Sequence, residues 1–308
     1  MKQGQQKMMS SVGQSASAVE QSGSTKQSSA TERGSKRGTK RIVVKVGSNT
    51  LTNDAGAIDR RYIASLADQL SELNNEGHQV VLVSSGAIAA GRETLGLTQR
   101  PKDMATLQAA ASIGQVGLIE TYSSEFGRCR TTIGQVLLTR ADTENEISYG
   151  HACDTFEKLL ELGTVPIVNE NDTVAIDEIC FGDNDTLASL VALMIKADMV
   201  IILTDVKGLY NDDPNANPDA TVVPCLTEVG DELIKGTGAG GDGASLGSGG
   251  MRSKLQAAKI LLEADITTVL CNGREANVVV DAVAGKPHGT IICSEELRKK
   301  LKLEEEAQ

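Results

Sequence analysis

Short runs of apolar, mostly β-branched residues alternate along the chain with longer segments in which apolar residues recur every three or four positions. The first run, at residues 41–46, ends at Gly47 and predicts a buried strand. Residues 59–75 carry a helical stripe of apolar residues that ends before Gly77. The alternation continues, with further strands predicted at 79–83, 133–138, 164–168, 199–203 and 266–271, and a late helix at 251–264.

Nearly continuous apolar strands that alternate with helices are typical of a parallel sheet covered on both faces. We therefore predict an α/β fold, a three-layer αβα sandwich around a mostly parallel sheet. In such sheets ligands bind beyond the carboxyl ends of the strands, so the polar residues at those ends are the candidates for function.

Two clusters of this kind lie early in the chain. Lys45, near the end of the first strand, can present its ammonium group to a phosphate, although a surface lysine with a buried stem would give the same pattern. Small residues at 83–91 follow the second strand and open a helix. They would let backbone N–H groups approach an anion at the helix N-terminus, unless they serve only to make a tight turn.

Two further clusters lie later in the chain. The Asn and Asp residues of 168–172 and 181–186 favour recognition of an amino or hydroxyl group, but they could also form turns or cap a helix. The glycine-rich segment 247–254 ends in Lys254 and could cradle nucleotide phosphates, without the spacing of a Walker A loop. Residues 236–241 match GxGxxG but follow a helical stretch, so we interpret 236–250 as a mobile loop.

Composition narrows the classes of function. The net charge is −11 and only 2% of residues are aromatic, which argues against a nucleic-acid platform. No apolar run is long enough to span a bilayer. Six cysteines and three histidines lack zinc-ligand spacing, so we expect buried, reduced thiols in a cytoplasmic protein and no catalytic histidine.

The charge is unevenly distributed. Residues 1–40 carry +5, from seven Lys/Arg against two Glu, so the remainder carries −16. This Ser- and Gln-rich segment has too few apolar residues to form a core, and we predict a disordered basic tail. A role in targeting or in partner binding stays open.

Taken in order, the motifs resemble those of the glutamate 5-kinases, a branch of the amino acid kinase family. The resemblance covers about residues 41–293, through KVGSNTL, VSSGAIAAGR, LLTRAD, PIVNEND, GDND, LTDVKGLY and GSGGMRSKLQAA. It implies the amino acid kinase fold, with one catalytic domain at 41–303 between the tail and a short acidic end at 304–308. It also implies a form without the C-terminal PUA domain that many bacterial members carry.

The resemblance implies ATP-dependent phosphorylation of the side-chain carboxylate of L-glutamate, which gives L-glutamyl 5-phosphate in the first step of proline biosynthesis. Mg²⁺ would be held mainly by the ATP phosphates, L-proline would be a feedback inhibitor, and the protein would form a homodimer or homotetramer. Three alternatives remain: a relative that acts on aspartate, acetylglutamate or a uridylate, a proline-sensing protein without catalysis, and a nucleotide-binding scaffold that works through the basic tail.

Residue roles follow from the same resemblance. Lys45 and Lys254 match the catalytic lysines, and Asp185 matches the aspartate that orients both. The positions that match glutamate-binding residues are Ser85, Gly86, Ala87, Asp172 and Asn184. Those that match nucleotide-binding residues are Lys45, Thr204, Asp205, Ser248, Gly249, Gly250, Met251, Arg252, Ser253 and Lys254. The chemistry agrees, because a carboxylate nucleophile is already ionised at neutral pH and needs positive charge and positioning rather than a general base.

Overall fold

The alternating apolar runs form the strands of a single sheet in the computed structural model, which describes residues 38–174, 184–214, 216–237, 250–286 and 288–301. These described residues fall in one compact unit. The strands are β1 (Arg41–Val46), β2 (Gln79–Ser84), β3 (Ile133–Leu138), β4 (Val165–Glu170), β5 (Met199–Thr204), β6 (Cys225–Leu226), β7 (Thr267–Asn272) and β8 (Gly289–Ile292).

Helices cover both faces of the sheet, and the second, fourth, fifth and sixth helices along the chain begin at a residue whose side chain caps the helix. The Asp59 side chain caps the second helix by accepting a hydrogen bond from the backbone N–H of Tyr62. The helices are α1 (Ser48–Leu51), α2 (Arg60–Asn75), α3 (Ala87–Thr94), α4 (Met104–Arg128), α5 (Arg140–Glu144), α6 (Glu146–Glu161), α7 (Asn184–Met194), α8 (Asp231–Gly236), α9 (Met251–Glu263), α10 (Val278–Val283) and α11 (Glu295–Leu301).

The sheet has the strand order β3-β4-β2-β1-β5-β7-β8-β6. Neighbouring strands from β3 to β7 all run parallel, whereas β8 is antiparallel to β7 and pairs in parallel with β6. The predicted fold class is therefore confirmed. The central position of β1 brings the carboxyl ends of β2 and β5 to either side of Lys45.

The alternation of side chains along β1 decides which face Lys45 points to. Ile42, Val44 and Val46 are buried in the core layer that contains α2, α4 and α10, and Val43 is buried in the opposite layer, with α7 and α9. Because successive side chains of a strand point to opposite faces, Lys45 shares the face of Val43. This register directs the ammonium group toward the two helices α7 and α9.

Helices α3 and α4 approach each other so closely that glycines are required at the contact. A Cβ atom on Gly91 would lie 1.8 Å from the carbonyl oxygen of Ala110, and one on Gly114 would lie 1.9 Å from that of Ala87. Gly86, which precedes α3, has a φ of 103°, in the left-handed region that favours glycine. The small residues at 83–91 thus serve the packing of the turn and helix, whatever else they do.

The structure differs from the sequence-based prediction in several places. The short strands β6 and β8 and the antiparallel pairing of β8 with β7 were not predicted. Of the five cysteines described, all are free, but only Cys271 and Cys293 are buried, so the prediction of burial is wrong for the three that are half-buried: Cys129, Cys153 and Cys225.

Some predictions concern residues that the structure does not describe. These include the tail up to residue 37, residues 181–183 of the second Asn/Asp cluster, the loop at 238–249 and the acidic end at 304–308. The proposed domain boundaries therefore stay predictions. Within the described ranges, no helix combines the length and apolarity that a membrane span requires.

Candidate active site

Two lysines share one buried aspartate at the centre of the site. Lys45 Nζ lies 2.7 Å from Asp185 Oδ1, and Lys254 Nζ lies 3.3 Å from Asp185 Oδ2. The three side chains come from β1, α7 and α9, and each is at most 7% exposed. The structure thus brings together the three residues that the resemblance implied as catalytic, although they are up to 209 positions apart in the chain.

The charge of this centre is set by its partners. Burial alone would raise the pKa of Asp185, but the positive charges of Lys45 and Lys254 outweigh it and hold that pKa below its ordinary value. Ser253 lies with its Oγ 2.8 Å from Asp185 Oδ2 and adds a hydrogen bond to the same carboxylate. One carboxylate and two ammonium groups leave a net charge of +1 in a site shielded from water, which suits a bound anion.

A second group of polar side chains adjoins this centre because Asn184 directly precedes Asp185 on α7. Asn184 Nδ2 donates to Ser85 Oγ at 2.8 Å, to the Ser84 carbonyl at 3.2 Å and to Asn169 Oδ1 at 3.0 Å. The contact joins the carboxyl ends of β2 and β4 to the first turn of α7. Of the predicted glutamate-binding residues, the structure therefore brings Ser85 and Asn184 together, with Gly86 and Ala87 next along the chain.

Asp172 lies just beyond the carboxyl end of β4. Burial, followed by the negative charge of nearby Glu170, raises the pKa of Asp172 to about 6, against the opposing effect of Arg100. Because these surroundings disfavour the ionised carboxylate, its ionised form would be stabilised by a cationic ligand such as an ammonium group.

The predicted nucleotide-binding residues lie at the same edge of the sheet. Thr204 ends β5, and its buried Oγ1 donates to Asp205 Oδ1 at 3.0 Å. Gly250 begins the turn into α9, where Met251 and Arg252 precede the buried Ser253 and Lys254. Ser248 and Gly249 lie outside the described residues, so their role stays a prediction.

Sequence reasoning missed two residues of α4 that contact this site. Gln115 Oε1 accepts a hydrogen bond from Asn169 Nδ2 at 2.9 Å, and the Tyr122 hydroxyl lies 2.8 Å from Ser84 Oγ. Their spacing of seven residues is two helical turns, so both lie on one side of the helix. The spacing indicates only that the two residues share a side of the helix; it does not identify their partners, which are distant in the chain.

Comparison with known proteins gives the class to which this chain belongs. Residues 40–272 match the profile of the amino acid kinase family. Solved structures with the same fold include carbamate kinase from Giardia lamblia bound to AMP-PNP (TM-score 0.60, 17% identity, 83% of this chain and 99% of that chain) and UMP kinase from Ureaplasma parvum (TM-score 0.57, 17% identity, the same coverage).

Curated relatives narrow the class. Glutamate 5-kinase of Cupriavidus pinatubonensis is 49% identical over 82% of this chain and 67% of its own length. Glutamate 5-kinase of Vibrio vulnificus is 46% identical over 85% and 69%, and that of Clostridium tetani is 45% identical over 82% and 93%. The chain therefore belongs to the amino acid kinase family and, within it, to the glutamate 5-kinases, as the motifs implied.

Proposed function

We propose that this protein transfers the γ-phosphoryl group of ATP to the side-chain carboxylate of L-glutamate and forms L-glutamyl 5-phosphate. The observation that carries the proposal is the buried Lys45–Asp185–Lys254 centre directly beside the Asn184 hydrogen bonds. Curated relatives at 45–49% identity that carry the glutamate 5-kinase name support the choice of substrate.

The chemistry requires two anions to meet. The glutamate side chain is ionised at neutral pH and needs no base to become a nucleophile, but it must approach a negatively charged phosphate. Fixed positive charge in a site with little water lowers the energy of that approach and of the charge spread over the transferred group. Lys45 and Lys254 provide this charge from two directions, and Asp185 keeps the two ammonium groups in place and limits their repulsion.

Glutamate is bound, in this proposal, at the carboxyl ends of β2 and β4. Asp172 attracts the α-ammonium group, and Asn184 and Ser85 offer an amide and a hydroxyl for the remaining polar atoms. The backbone at Gly86 and Ala87 starts α3, whose N–H groups favour a carboxylate. These elements place the side-chain carboxylate toward the lysines, because Asn184 and Asp185 are neighbours on α7.

ATP occupies the opposite side of the centre in this proposal. Thr204 and Asp205 at the end of β5 contact the nucleotide, and the segment from Gly250 to Lys254 presents the N-terminus of α9 to the phosphates. Ser248 and Gly249 are assigned to the same segment by the resemblance alone.

Mg²⁺ is included because phosphoryl transfer from ATP ordinarily uses it to neutralise phosphate oxygens. Among the described residues, no group of three His, Cys, Asp or Glu side chains could hold a metal ion. Magnesium commonly binds through substrate phosphates and few protein carboxylates, so the nucleotide would hold it here.

Regulation and assembly are proposed on the resemblance. We expect L-proline to compete at the glutamate site, the chain to form a homodimer or homotetramer, and the protein to be cytoplasmic. Inhibition by L-proline that weakens as L-glutamate rises would support the first expectation, whereas inhibition independent of glutamate would contradict it.

A substrate panel tests the proposed function. ADP release from ATP would be followed with L-glutamate, L-aspartate, N-acetyl-L-glutamate and UMP, each at several concentrations. We expect kcat/KM for L-glutamate to exceed the others by at least about a hundredfold, because the site matches one substrate through several polar groups. A preference for another member of the panel would assign the chain a different substrate. If none of the four compounds led to release of ADP, the proposed catalytic activity would be contradicted.

A further inference from the structure

A chain of amide side chains connects the proposed substrate site to helix α4. Asn184 Nδ2 donates to Asn169 Oδ1 at 3.0 Å, and Asn169 Nδ2 donates in turn to Gln115 Oε1 at 2.9 Å. Asn169 is buried, at 3% exposure, and Gln115 is half-buried. We propose that Gln115 is a positioning residue, which strengthens the orientation of Asn184 through Asn169, in addition to the direct contacts of Asn184 with Ser84 and Ser85; the inference rests on the proposed function.

The proposed role of Gln115 depends on which end of each amide donates. An asparagine side chain can rotate by half a turn and exchange its oxygen with its NH₂ group at almost no cost in shape. If Asn169 did so, its NH₂ group would face the NH₂ group of Asn184, and two donors would meet in a buried place. The backbone N–H of Glu170 also donates to Asn169 Oδ1, at 2.9 Å, so the oxygen side of this amide already has a donor. An acceptor at Gln115 adds a partner for the NH₂ side, and the two together hold Asn169 in the orientation that presents its oxygen to Asn184.

The orientation of Asn184 matters for the ligand. The hydrogen bonds to Ser84, Ser85 and Asn169 are all made by Nδ2, so the amide oxygen lies on the other side of the group. An oxygen held in a fixed place can accept a hydrogen bond from an ammonium group, whereas a rotated amide would present a donor to a cation. Gln115 therefore favours a ligand with an amino group without touching it.

Close contacts with neighbouring elements hold helix α4 in place, and with it Gln115. Gly114, next to Gln115, lies in backbone contact with α3, where its added Cβ would be 1.9 Å from the Ala87 carbonyl and 2.2 Å from the Gly91 nitrogen. Two turns later, the Tyr122 hydroxyl contacts Ser84 at 2.8 Å. The helix thus contacts the end of β2, the start of α3 and the end of β4 along one side.

The test replaces Gln115 by methionine, which has a similar shape but no comparable acceptor. We expect Gln115→Met to raise KM for L-glutamate roughly fivefold, as the loss of one hydrogen bond would, with kcat and KM for ATP within about twofold of wild type. Gln135→Met makes the same change at an exposed position of β3 and should leave all three constants unchanged.

Two more variants separate positioning from simple packing. Gln115→Glu keeps an acceptor facing Asn169, so its KM for L-glutamate should stay closer to wild type than that of Gln115→Met. Gln115→Asn keeps the amide but is one methylene shorter, so it should behave like Gln115→Met and can replace it if that variant does not fold by circular dichroism.

The outcomes are distinguishable. An unchanged KM for L-glutamate in folded Gln115→Met or Gln115→Asn, or an equal rise in Gln115→Glu and Gln115→Met, would overturn the positioning role while leaving the proposed function intact. A wild-type chain without glutamate-dependent activity would overturn the proposed function, and this inference with it.

Discussion

The side chains of Lys45, Asp185 and Lys254 form the electrostatic centre of the molecule. An uncompensated buried charge usually destabilises a protein. Here two lysines share a single aspartate, so one positive charge is left over within this group, and stability does not explain its presence. An extra buried cation is unfavourable in the empty protein and favourable when an anion arrives. The arrangement is therefore better suited to anion binding and catalysis than to holding the fold together.

Replacement of either lysine by alanine tests whether the two lysines serve anion binding and catalysis. We expect Lys45→Ala and Lys254→Ala each to lower kcat by roughly a hundredfold or more, by analogy with the loss of one donor to a developing anion. Steady-state kinetics would measure this, with folding checked by circular dichroism. Lys259→Ala is the control on α9, because Lys259 is partly exposed and pairs with Asp231; its kcat should not change. A kcat near wild type in a folded Lys45→Ala or Lys254→Ala would contradict the assignment.

Asp172 should display a conflict between stability and binding. Its pKa is about 6 in the folded protein against an ordinary 3.8, so folding favours the protonated form and the ionised carboxylate weakens the fold above pH 6. Asp172→Asn should thus raise the free energy of unfolding by up to about 3 kcal/mol at pH 7. The gain should shrink as the pH falls from 7 to 4, because wild-type Asp172 then becomes protonated when folded.

The same variant should bind glutamate poorly. We expect Asp172→Asn and Asp172→Ala to raise KM for L-glutamate with a smaller effect on kcat, since the lost charge faces the ammonium group in the proposed site. Denaturant unfolding at several pH values and steady-state kinetics give the two readouts. A pH-independent change in stability, or an unchanged KM for L-glutamate, would each count against the role given to Asp172.

Among the elements, the regular strands and helices were predictable from the sequence, whereas the long-range contacts of α4 were not. The strands β1, β2, β3, β4, β5 and β7 and the helices α2 and α9 were predictable because their periodicity is local and regular. The same local signals predicted that Lys45 and the Asn residues after β4 would meet at one edge. The contacts of Gln115 and Tyr122 were not predictable in this way, because their partners lie 54 and 38 positions away.

Other features were also not predictable from local sequence patterns. Strand β6 has only two residues, and β8 has four, so neither carries enough alternation to be recognised. Helix α10 lies between β7 and β8, and a strand–helix–strand pattern normally gives a parallel pair, so the antiparallel direction of β8 was not predictable from its own residues. The roles of Thr204 and Asp205 came from the resemblance, since one Thr-Asp pair after a strand is too common to indicate a nucleotide site.

The contact between α3 and α4 gives a prediction about stability. Gly114→Ala would place a methyl group against the backbone of α3, and we expect it to lower the free energy of unfolding by about 1–3 kcal/mol or more. Gly117→Ala, on the same helix, meets nothing within 4 Å and should stabilise the protein by about 0.5–1 kcal/mol. Equal effects of the two substitutions in thermal or denaturant unfolding would show that the helices are not in the close contact described.

At the scale of the whole molecule, an acidic protein must bind two anionic substrates. The net charge is −11, and the segment beyond residue 40 is more negative still, at −16. The buried lysines and the N-termini of α3, α7 and α9 make a local positive site within this negative surface. Binding thus depends on the local arrangement of charge rather than on the net charge.

The contacts described for the active site are made by residues beyond the basic tail. We expect deletion of residues 1–37 to leave kcat and both KM values within about twofold of the full chain, because every described contact of the site comes from later residues. Kinetics of the full and shortened chains would measure this. A large loss of activity in a folded, shortened protein would favour a role for the tail in substrate binding.

The proposed product is an acyl phosphate on glutamate, and trapping that product tests the proposed function. The full chain would be incubated with ATP, Mg²⁺, L-glutamate and hydroxylamine, which converts an acyl phosphate into a stable hydroxamate. We predict γ-glutamyl hydroxamate formed in a 1:1 ratio with ADP, and its loss in Lys45→Ala and Lys254→Ala. Release of ADP without hydroxamate, or equal hydroxamate formation in the absence of L-glutamate, would contradict the proposed reaction.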